Sequence, residues 1–88
     1  MEKTELYLQT ENLNGQKGKV MVKHKLWGEQ AFQCESISII NDKCRFGISI
    51  HNHDMYVYKP EVVLCTIHEN MYTIADKTVQ ITIIVNKL

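Results

Sequence analysis

From Ser36 to Val85 the chain alternates apolar with small or polar residues, broken only by short stretches rich in Asn, Asp and Glu. Such a period of two puts every second side chain on the same face of a strand, and a slip of one residue would turn a whole row of Ile and Val toward water. The segment is therefore expected to be a run of short strands joined by tight turns.

Each turn can be tested for whether its apolar sets agree. A two-residue loop on Asn41-Asp42 opposes Ile39 to Cys44 and Ile37 to Phe46, placing all four on one inner face. A turn centred on Asn52-His53 opposes Ile50 to Met55 and Ile48 to Val57, leaving Tyr56 and Tyr58 outside until Lys59-Pro60 ends the pairing. A turn on Glu69-Asn70 opposes Ile67 to Tyr72 and Cys65 to Ile74; one on Asp76-Lys77 opposes Ile74 to Val79 and Tyr72 to Ile81. Glu-Asn and Asp-Lys are poorer type I′ pairs than Asn-Gly, so a longer loop or a bulge is an alternative at both.

The first third is less regular. Over residues 4–13, Leu6, Leu8 and Thr10 fit an alternating strand better than Leu6, Gln9 and Leu13 fit a helical stripe, so a strand is expected with a helix as the alternative; Asn14 to Gly18 has the composition of a turn. Lys19 to Trp27 alternates cleanly, with Val20, Val22, His24 and Leu26 on one side and Lys19, Met21, Lys23, Lys25 and Trp27 on the other. Gly28 to Gln30 interrupts it, and Ala31 to Glu35 keeps no parity, as a bulge, a corner or a short helical turn would.

The expected fold is all-β: a small antiparallel meander of about seven or eight short strands in a single domain over 1–88, forming a closed or partly open small barrel or a two-layer sandwich. In strand pattern the chain is similar to small SH3-like and Sm-like barrels, without signature residues of either. At 44% hydrophobic and 23% charged residues the composition excludes a largely disordered chain. Ten basic residues balance ten acidic ones, so no global field steers the chain to nucleic acid or an anionic membrane. No apolar run reaches membrane-spanning length, no signal segment is evident, and a cytoplasmic location is expected. Cys34, Cys44 and Cys65 cannot all pair within one chain, and Cys44 and Cys65 read as core residues.

Four groupings carry chemical meaning. Lys17, Lys19, Lys23 and Lys25 with Trp27 would suit a single-stranded nucleic acid, the lysines tracking phosphates and the indole stacking on a base; the plainer reading is an edge strand kept from pairing by its lysines. His51-Asn52-His53-Asp54 puts two imidazoles and a carboxylate in one turn, too few for a metal site unless His24 or His68 folds close, and no metal or cofactor is expected. Cys65 and His68 point to opposite faces of a strand, no catalytic motif is present, and no enzyme activity is expected. Finally, Ile40, Val62, Leu64, Met71 and Ile84 fall outside by parity. With Tyr56 and Tyr58 they form an apolar surface for a protein partner, a second copy of the chain, or a cap made by residues 4–13. The expected function is a non-catalytic interaction module using Ile40, Tyr56, Tyr58, Val62, Leu64 and Ile84; the alternative is the nucleic-acid binder.

Overall fold

The computed structural model describes residues 3–86. It opens with a helix, α1 (Lys3–Thr10), extended by a 3-10 turn (Glu11–Leu13). Eight strands follow: β1 (Gly18–His24), β2 (Gly28–Cys34), β3 (Ile39–Asn41), β4 (Arg45–Ile50), β5 (His53–Tyr58), β6 (Leu64–His68), β7 (Met71–Ala75) and β8 (Val79–Val85). They form two antiparallel sheets, a five-stranded one in the order β2-β1-β8-β7-β6 and a three-stranded one in the order β3-β4-β5. The architecture is the expected all-β one, and the sheets do not close into a barrel. Among the described residues no helix is long and apolar enough to cross a membrane.

The core lies between the two sheets. Val20, Val22, Ile74, Val79, Ile81, Ile83 and Val85 line the larger sheet, and Phe46, Ile48, Ile50 and Val57 face them from the smaller one. Leu6, Leu13, Ile37 and Val62, from outside the strands, fill the remaining space.

Hairpin registers follow the expected parity, with shifts that are always even. Glu69-Asn70 makes the expected two-residue turn, with Ile67 opposite Tyr72 and Cys65 opposite Ile74. The second turn moves back one residue onto His51-Asn52, whose φ values of 50° and 68° suit a type I′ turn, so Ile48 faces Met55. At Asp42 and Asp76 the loops are wider, opposing Ile39 to Ile48 and Ile74 to Ile81. The cause is the same in both. Asp42 Oδ1 accepts the N–H groups of Cys44 and Arg45 at 3.0 and 2.8 Å, and Asp76 Oδ1 accepts those of Thr78 and Val79 at 2.8 and 2.9 Å. Each aspartate holds a four-residue loop open by satisfying donors that a tighter hairpin would pair. Cys44, expected in the core, lies in the first of these loops and is exposed.

Asp42 also accepts from Arg45 through Oδ2, at 2.8 Å from Nε, and this bond with the two backbone ones holds its carboxyl below the ordinary carboxylate range. A carboxyl whose pKa is lowered by folding stabilises the fold above that range and ceases to as pH falls through it. Urea unfolding should therefore give wild type a higher midpoint than Asp42→Asn near neutral pH, with the gap closing in acid.

Three further expectations are corrected. Residues 4–13 are helical, because Leu6, Thr10 and Leu13 lie on one helical face and are buried, at 0%, 0% and 4% exposure. The Thr10 hydroxyl donates to the carbonyls of Leu6 and Tyr7 at 2.9 and 3.0 Å, which lets a polar residue enter the core. Residues 31–35 do not turn a corner: Ala31 to Cys34 belong to β2, paired along its length with β1. At the sheet edge only Phe32 and Cys34 turn partly inward, so the alternation is faint. The lysine-bearing β1 is no edge strand, since it pairs with β2 on one side and β8 on the other.

Candidate binding cleft

The two sheets part at one end, leaving a cleft of about 570 Å³ between the β1–β2 hairpin and the β4–β5 hairpin. Val22, Phe32, Ile50, Met55 and Val79 supply its apolar wall. Its polar groups include His24, Gln30, His51, His53, Asp54 and Thr78, and Trp27 stands at the same site. A mostly apolar hollow with a few polar groups is the usual form of a binding site.

Local sequence explains how the hairpin tip is held. β1 ends at His24 and β2 starts at Gly28, whose φ of 83° an L side chain resists. Between them Leu26 and Trp27 are 79% and 78% exposed. His24 Nδ1 accepts the N–H of Leu26 at 3.0 Å and of Trp27 at 3.4 Å, leaving the imidazole proton on Nε2. The imidazole stacks on the indole with centroids 4.1 Å apart and planes 14° apart. One side chain thus fixes both the backbone of the tip and the plane of its aromatic ring.

The candidate residues named from sequence are spread over several surfaces. Lys19 and Lys23 stand on the outer face of the larger sheet, where Lys23 lies opposite Glu29, and Lys17 is 3.5 Å from the Glu35 carboxylate. Lys25 is in the hairpin turn beside Trp27. Tyr56, Tyr58 and Ile40 lie on the outer face of the smaller sheet, Ile40 and Tyr56 flanking Gly47. The Arg45 guanidinium sits 4.9 Å over the Tyr56 ring. Leu64 and Ile84 are on the outer face of the larger sheet with Met71. Val62, expected outside, is in the core, because the 3-10 turn at Lys59–Glu61 interrupts the alternation between Tyr58 and Leu64.

His24, His51, His53 and Asp54 share the cleft, yet among the described residues no three His, Cys, Asp or Glu side chains are grouped so as to hold a metal ion. Burial pushes the Cys34 thiol up, away from the thiolate that a nucleophile needs. Leu26 was expected to continue the side of the strand that carries Val20 and Val22, and Phe32 was given no particular role. The signal for both was the glycine at position 28, which can close a hairpin rather than merely interrupt a strand. Comparison with protein-family models, curated proteins and solved structures yields no match to this chain.

Proposed function

We propose that this protein is a non-catalytic interaction module that docks a protein partner on the Leu26–Trp27 tip and the cleft behind it. The observation that carries the reading is the stacking of an exposed Trp27 on His24, whose ring nitrogen also holds the backbone of the tip. Aromatic anchors dominate binding energy at protein interfaces, and an anchor already ordered loses less freedom on binding. The lysine face supports nucleic-acid binding less well: its neighbours across the sheet are Gln33, Ala31, Glu29, Ile84, Thr82 and Gln80, none of which can stack on a base. A cytoplasmic setting, where thiols such as Cys34 and Cys44 stay reduced, fits the same reading.

Selecting peptides from a random library against the folded protein tests it, with Trp27 emission as the readout. Selected peptides should carry large apolar residues, shift the emission to the blue and hold on as salt rises. Trp27→Ala should weaken them by roughly thirtyfold, a hot-spot loss. It should leave the urea midpoint almost unchanged, as expected of an exposed side chain. Peptides indifferent to Trp27→Ala, or quenching by single-stranded RNA that salt reverses, would overturn the assignment.

A further inference from the structure

The backbone of β2 offers a second surface. Lys25 N–H donates to Thr78 O at 2.9 Å, and Asn86 N–H to Lys17 O at 3.0 Å. These bonds mark the odd-numbered residues of β1 as the ones bonded to β8. Because antiparallel bonding alternates, Gly18, Val20, Val22 and His24 then bond to their β2 partners Cys34, Phe32, Gln30 and Gly28. The N–H and C=O groups of Glu29, Ala31 and Gln33 must point away from the sheet. Among the described residues these groups meet no partner.

The other edges are each engaged at one point or more. On β3 the Ile39 N–H is taken by Asn14 Oδ1 at 2.8 Å, on β5 the Tyr58 N–H meets Asp76 Oδ2 at 3.3 Å, and α1 packs beside β6. By contrast β2 has no proline, lysine or bulge, and Glu29 is its one charge. Natural sheets seldom leave so long an edge open unless something pairs with it.

We infer that the occupant is β2 of a second copy of this chain, paired antiparallel about a twofold axis at Ala31. In that register the outward residues meet each other and exchange both N–H···O bonds at each pair. Glu29 faces Gln33 of the second copy, a carboxylate opposite an amide, and no two like charges are opposed. Gln30 faces Phe32, and Gly28 faces Cys34. A formal charge of zero removes the repulsion that would oppose two identical chains, and the five-stranded sheets become one continuous sheet. This association uses the edge of β2 and does not depend on docking at Trp27.

Sedimentation velocity over a wide concentration range, with amide hydrogen exchange, tests it. The expected result is a monomer–dimer equilibrium in which Glu29, Ala31 and Gln33 amides become protected as concentration rises, while Gln30 and Phe32 are protected throughout. Ala31→Pro removes an N–H that the monomer does not use, and should give a folded monomer. Gln33→Glu sets carboxylates opposite one another at two symmetric places and should weaken the dimer about tenfold, and adding Glu29→Lys should restore it. The double variant keeps the test decisive should the proline disturb folding. A wild type that stays monomeric throughout, or a dimer indifferent to both Gln33→Glu and Ala31→Pro, would overturn the inference.

Discussion

Leu6→Asp should leave the chain unfolded at room temperature, whereas Leu8→Asp, two residues on, should be almost silent. Leu6 is fully buried and Leu8 is 62% exposed, so the pair reads the geometry of the segment directly. In a strand the two side chains would share a face and suffer alike; in a helix they stand on different sides. Losing a buried leucine costs about 2–5 kcal/mol, and a carboxylate left unpaired in the cavity adds several more. At roughly 0.05–0.15 kcal/mol per residue, a domain of 88 residues has only about 4–13 kcal/mol in hand. Circular dichroism and urea titration of the two variants give the comparison. Equal damage from both would mean that α1 does not cap the core as a helix.

Gly47→Ala is the second large effect, near the upper end of the usual 1–3 kcal/mol for overpacking. A methyl at this position would run into the carbonyl oxygen of Met55 and come within 2.5 Å of Tyr56 Cα and 2.8 Å of Tyr56 Cβ. Two of the three are backbone atoms, so relief requires β4 and β5 to move apart. Gly15 is the control: its φ of 83° penalises alanine, but nothing lies within 4 Å of the added carbon, and a loss of about 1 kcal/mol is expected there. Beyond the lower melting temperature, Gly47→Ala should speed amide exchange at Met55 and Val57, whose N–H groups close the β4–β5 ladder. Exchange unchanged at those sites would mean that the strand pair accommodates the methyl.

The strand content and inner face were legible in the sequence from residue 36 onward, because the registers Ile67 to Tyr72 and Ile39 to Ile48 both obey the alternation. Loop lengths were not. At Asp42 and Asp76 they depend on a side-chain oxygen competing for backbone donors, a choice that apolar patterning does not record. The helix was weighed and passed over for a strand because Thr10 counts as polar until its hydroxyl is seen bonded within its own helix. Strand β2 was hidden by its place at the sheet edge, where little burial means little pattern. The candidate site was legible in its parts, His24, Trp27 and the His51 to Asp54 turn, but their meeting in one cleft comes from the way two separate sheets splay. Val62 shows the reverse case, since the single 3-10 turn that contains Pro60 carried an expected outward residue into the core.

The even register shifts bear on how such a chain can change over time. A register shifted by two residues slides one strand past the other by a full pleat and returns every side chain to the side it came from. A change of one residue exchanges inside for outside along the whole strand. Only even slips are therefore compatible with one buried face, and at Asp42 and Asp76 the carboxylate selects which of them is used.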